Sequence, residues 1–136
     1  MLAAALQCDA AMLARPSELA RRVIGCAIDV HRGLGPGLLE SSYEAGLVYE
    51  FTHRDISFRR QVPVPMSYKG AHLDCAYRAD FVVEGVLLLE VKSVDKLIPI
   101  HDAQLLTYLK LLDLHQGMLM NFNERRLVDG LRNILR

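Results

Sequence analysis

The chain has 136 residues, 51% of them hydrophobic and 24% charged, a composition that fits one globular domain with a real core and excludes a disordered or low-complexity protein. Lys plus Arg equals Asp plus Glu at 16 each, so the formal net charge is zero. That excludes a protein that holds nucleic acid by bulk electrostatics, while leaving room for an enzyme that meets it at a local patch.

Residues 1–16, MLAAALQCDAAMLARP, are Ala-rich but carry no basic start, and Asp9 interrupts them. They read as a tail or short helix rather than a signal peptide, with no chemistry expected of them. No apolar stretch reaches the length of a membrane span. Cys8, Cys26 and Cys75 are widely spaced and odd in number, which argues against a disulfide framework or a zinc site and for a reducing, cytoplasmic setting.

From Ser17, an N-cap candidate, the apolar residues Leu19, Val23, Cys26, Ala27 and Val30 recur at helical spacing. The run GLGPG at 33–37 breaks that helix. A second helix is expected over roughly 38–53, with Leu39, Tyr43, Leu47 and Phe51 on its core face. ISFRRQVPVPMSYKG carries Pro63 and Pro65, which suits an edge strand. Two strands then meet at EG, about 74–83 and 86–93. The second is apolar at both parities, as a strand covered on both faces should be. A helix over about 101–113 presents Leu105, Leu109 and Leu112 to the core; GMLMNF reads as a buried strand and VDGLRNILR as a closing helix. The whole is one mixed α/β domain over residues 17–136, with no internal repeat and no linker.

Glu90 and Lys92 interrupt the apolar strand FVVEGVLLLEVKSV. Burying either charge costs several kcal/mol unless it is paired or metal-bound. Both leave the same strand face. Asp80, on the preceding strand, joins them if the turn at Gly85 has an odd number of loop residues, and faces away if Val83 pairs directly with Val86. Two carboxylates and a lysine meeting at a strand end are what phosphodiester hydrolysis needs. The acids hold a cation such as Mg²⁺, and the ammonium orients the nucleophile or stabilises the transition state. The ordinary alternative is a Glu–Lys pair at a solvated strand end. Gln104 and Tyr108, four apart, share a helix face away from Leu105 and Leu109; they could bind phosphate or fix a carboxylate, or could simply form a polar exposed face. Glu40, three residues before Tyr43, sits in a first helical turn where acids are common, and as a further metal ligand it would have to point in beside Asp80. His31 and His101 could line the same cleft, but such histidines are more often caps or packing residues. Arg59, Arg60, Lys69 and Arg78, and separately Arg125, Arg126, Arg132 and Arg136, form two basic stretches able to meet a phosphate backbone or to remain solvated surface.

In order and spacing, GLGPGLLESSYE, YRADFVVEG, LLEVKSV and AQLLTYLKLL resemble the GxxExxY protein family of the PD-(D/E)XK nuclease superfamily, over about residues 19–135. The resemblance implies a restriction-endonuclease-like core, a small mixed central sheet flanked by helices. It implies Asp80 and Glu90 as metal-binding acids, Lys92 as the motif lysine, Gln104 and Tyr108 as the Q-x-x-x-Y element of the RecB-like branch, and Glu40 as completing a metal set of Glu40, Asp80 and Glu90. The expected function is a Mg²⁺- or Mn²⁺-dependent nuclease acting on DNA in preference to RNA. The alternative is a non-catalytic nucleic-acid or protein binding module that keeps the fold. Small size and zero net charge favour that module, or a nuclease working as a homodimer or with a partner protein.

Overall fold

A computed structural model describes residues 17–74 and 77–136; the tail assigned to residues 1–16 lies outside the described residues, as do Cys8 and Cys75. Helix α1 spans Glu18–Leu34. The Ser17 side chain accepts the Ala20 N–H at 3.1 Å, which satisfies one of the free donors of the first turn, and the Gly35 N–H closes the last turn on His31 O. Helix α2 spans Glu40–His53 and buries Tyr43, Leu47 and Phe51. Leu39 departs from the expected core face at 77% exposure. It occupies the extended N-cap position (φ −71°, ψ 152°), where the helix that would turn it inward has not begun.

The main sheet runs in the order β1-β4-β5-β6-β7. Its strands are β1 (Phe58–Pro63), β4 (Arg78–Val83), β5 (Leu87–Lys92), β6 (Gln116–Asn121) and β7 (Leu131–Leu135), while β2 (Ser67–Tyr68) and β3 (Ala71–His72) make a separate ribbon. β1, with Pro63 at its end, lies at one edge. β5 and β6 are parallel, joined through helix α3, Pro99–Leu111. The other pairs are antiparallel. β5 is central and buried from Leu87 to Val91, which explains its unbroken apolar run. One core layer packs α1 and α2 against Phe81, Val83, Leu87, Leu89 and Val91. The other sets α3 against Val82, Leu88 and Leu119.

The expected closing helix is not formed. Leu127–Gly130 make a short 3-10 turn and Leu131–Leu135 pair with β6. Val128, Leu131 and Ile134 do recur at helical spacing, but the free edge of β6 carries main-chain groups that need partners, and a glycine mid-segment weakens a helix. Gly130 also passes so close to β6 that a Cβ there would lie 2.5 Å from Asn121 O. Gly130→Ala should therefore destabilise the fold by about 1–3 kcal/mol, read as a lower midpoint in chemical denaturation; an unchanged midpoint would contradict this packing.

Candidate active site

The β4–β5 hairpin decides whether the two acids meet. Val83 pairs with Leu87, and Phe81 with Leu89, so the loop is Glu84, Gly85 and Val86, an odd number. Glu84 and Gly85 both take positive φ, 53° and 71°, in a tight turn closed by Val86 N–H to Val83 O at 3.1 Å. Glu84 is held there because its carboxylate accepts from the Ser57 N–H and Oγ. Carried forward, this register sets Asp80 opposite Glu90.

At that pair side chains replace the ladder. The Asp80 N–H donates to Glu90 Oε1 at 3.0 Å, and the Val91 N–H donates to Asp80 Oδ2 at 2.8 Å. Each carboxylate thus accepts a main-chain donor from the other strand, which fixes both acids where the strands part. Glu90 is only 5% exposed. Burial, and then the Asp80 charge, push its carboxyl up to about 8. Asp80 is raised as well, by burial first, against the Val91 hydrogen bond, with the Glu40 charge adding to the rise. Two acids in one desolvated place resist ionising together. Lys92 lies in the same field and lowers both, yet no acid among the described residues pairs with it within 4 Å. The ordinary Glu90–Lys92 ion pair is therefore not formed.

The strand end beyond Lys92 is tied down by groups on other elements. Phe122 N–H donates to Lys92 O. Asn121, fully buried, clamps Val94 through Oδ1 and Nδ2 at 3.1 and 2.9 Å. Glu40 Oε2 accepts the Ser93 N–H at 3.3 Å. Tyr43 explains why the segment before Glu40 has a fixed shape: its hydroxyl donates to Gly35 O at 2.7 Å and accepts the Leu38 N–H at 3.1 Å, while its ring stacks on Phe122 at 4.5 Å. Tyr43→Phe should cost about 1 kcal/mol and loosen the approach of Glu40, seen as faster amide exchange at Leu38; unchanged exchange would count against that role.

On helix α3, Gln104 Nε2 donates to Tyr108 Oη at 3.1 Å. Tyr108 is not on an exposed polar face: at 4% exposure it packs in one cluster with Leu105, Leu109 and Leu88. Its hydroxyl is raised by burial first, then lowered by Gln104 and raised again by the nearby Glu90 charge. Two residues of this neighbourhood carry no sequence signal. Glu44 is buried beside Tyr43, bonded to the Gln61 amide at 3.0 Å and 3.5 Å from Arg60; burial and then the Asp80 charge raise its carboxyl. Gln61, opposite Asp80 by register, has a left-handed backbone (φ 49°) within a strand, the kind of strain that gathers at functional sites. His31 and His101 bond the main chain. His31 Nε2 bonds Glu124 O, and His101 Nδ1 accepts the Ile98 N–H at the start of α3.

Among the described residues, no three His, Cys, Asp or Glu side chains form a ready-made metal cluster. Two carboxylates fit a Mg²⁺-type ion all the same, because that ion keeps several waters and takes only one or two protein carboxylates. Two crowded acids whose joint ionisation burial and mutual repulsion oppose are chemically suited to one. No helix of the described residues is long and apolar enough to cross a membrane.

The model of the PD-(D/E)XK nuclease superfamily matches residues 17–134. No curated protein and no solved structure matches the chain. The five-stranded mixed sheet with its three described helices has the restriction-endonuclease-like architecture of that superfamily, whose nucleases generally use divalent metals.

Proposed function

Because the chain belongs to the PD-(D/E)XK nuclease superfamily, we propose that it is a Mg²⁺- or Mn²⁺-dependent nuclease that hydrolyses phosphodiester bonds in DNA. Residues 17–136 form its catalytic domain, of the GxxExxY family and the RecB-like branch. The observation that carries this reading is the interlocked pair Asp80 and Glu90, a half-buried and a buried acid facing one another at a strand end, with Lys92, which has no ion-pair partner among the described residues, close by.

In this reading Asp80 and Glu90 hold the cation, with Glu40 completing its shell. When bound, the cation lowers the pKa of a water and offsets phosphate charge. Lys92 faces the scissile phosphate and meets the negative charge that grows on it in the transition state. Tyr108 and Gln104 line the same place; the Gln104 amide orients the phenol, which can hydrogen-bond a carboxylate or a phosphate oxygen. The carboxylates stay anchored to main-chain N–H groups, so the site needs little reorganisation when substrate arrives. Calorimetric titration with Mn²⁺ tests the ligand set. The wild type should bind one ion per site and Asp80→Ala should lose most of that affinity. Equal affinity in both, or none in either, would favour a binding module that keeps only the fold.

A further inference from the structure

A cavity of about 420 Å³ along α3 is lined by Met66, Tyr77, Ile100, Gln104 and Tyr108 among others, and the charges of Glu90 and Asp80 reach its Tyr108 hydroxyl. Its walls are unusual for a free surface. Tyr77 is 45% exposed and Ile100 65%, and the Tyr77 ring meets that of Tyr108 edge-on at 6.3 Å. The cavity shares Tyr108 and Gln104 with the candidate active site. Tyr108 packs with Leu88, which leaves the same face of β5 as Glu90, two residues further along.

We propose that this cavity is a nucleobase subsite, taking one unstacked base next to the scissile phosphate, so that the substrate is a single strand or a duplex end with unpaired nucleotides. The inference rests on the nuclease reading for the position of that phosphate. The occupant follows from the chemistry of the walls. A base offers two flat apolar faces and a polar edge; Tyr77 and Ile100 supply an aromatic and an aliphatic surface for the faces. The Gln104 amide has both donor and acceptor atoms, so it can meet the edge of any base. A base inside a duplex is already stacked and cannot enter; only an unpaired one can fill the slot. Two exposed cations lie on the chain segments that carry Tyr77 and Met66: Arg78 directly follows Tyr77 in the sequence and donates through Nη1 to Gln61 O at 3.3 Å, and Lys69 lies on the β2–β3 ribbon, its Nζ 5.3 Å from the Tyr68 ring. They suit a strand whose phosphates run past the pocket.

The test is binding of a short single-stranded oligonucleotide carrying 2-aminopurine to the full chain, without divalent metal so that nothing is cut. Stacking quenches that base's fluorescence. The wild type should quench it; Tyr77→Ala and Ile100→Ala, at exposed positions that leave the core intact, should lose the quench and weaken binding about tenfold. Tyr77→Phe should keep both. The fully paired duplex should bind wild type and variants alike. Unchanged quenching and affinity in Tyr77→Ala, an equal loss with duplex, or no binding by the wild type would each overturn the subsite. Cleavage with Mg²⁺ separates the two claims: quenching that depends on Tyr77 in a protein that never cleaves leaves the subsite standing and removes the nuclease reading, whereas wild-type cleavage by Tyr77→Ala does the reverse.

Discussion

Lys92→Ala is expected to remove most phosphodiester cleavage, by about 100-fold or more, while the fold and metal binding survive. Groups that stabilise charge developing in a transition state carry losses of that size. The variant separates catalyst from scaffold because the two roles damage different things. Were Lys92 the structural partner of Glu90, its removal would strand a buried carboxylate and cost on the order of 3 kcal/mol. The geometry argues against that, since no acid among the described residues lies within ion-pair distance of Lys92, and Asp80 and Glu90 are bonded to main-chain N–H groups instead. Cleavage rates and melting curves of the same preparation decide it. A variant that unfolds readily yet cuts normally in its folded fraction would show that Lys92 is scaffold.

The metal-free protein should lose stability as pH rises from about 5 to 8, and Mg²⁺ should reverse the trend. Glu90 is pushed from the ordinary 4.5 up to about 8, so between those values the folded state holds a proton that the unfolded chain has released. The stabilisation from that proton is complete below 4.5 and is lost as pH rises through about 8, with a slope of at most about 1.4 kcal/mol per pH unit for one proton. Asp80 is raised too and acts in the same direction. Glu90→Gln carries no titratable carboxyl and should flatten the slope. A bound cation favours the ionised acids, so the melting temperature should rise more with Mg²⁺ at pH 8 than at pH 5. A flat profile, or an equal Mg²⁺ effect in the Asp80→Asn, Glu90→Gln double variant, would count against the site.

What the sequence made legible was periodic or local. Ser17 caps α1, the prolines near β1 mark an edge, and the unbroken apolar run of β5 marks a strand buried on both faces, because each effect acts within a few residues. The meeting of Asp80 with Glu90 hung on one loop residue; Gly85 permitted the three-residue loop, but Glu84 in a left-handed conformation, bonded to Ser57, completes it, and Ser57 is remote in sequence. The closing segment misled because its spacing fits a helix, while the open edge of β6 that recruits it as β7 is a tertiary demand. Leu39 shows the limit of periodicity at a helix boundary. Glu44 and Gln61 were invisible for a similar reason: their importance comes from lying near Asp80 in space, and nothing near them in sequence announces it. Asn121 did carry a hint, as a polar residue set into the apolar run of β6, much as Glu90 is set into β5.

The most direct measurement is cleavage of end-labelled single-stranded and duplex DNA by the wild type and by the Asp80→Asn, Glu90→Gln double variant, with Mg²⁺ and with chelator, at equal concentrations of folded protein. The account predicts cleavage by the wild type with Mg²⁺ alone, none with chelator, and none above background by the variant. Cleavage that persists in the variant, or a wild type that cuts neither substrate, would contradict it.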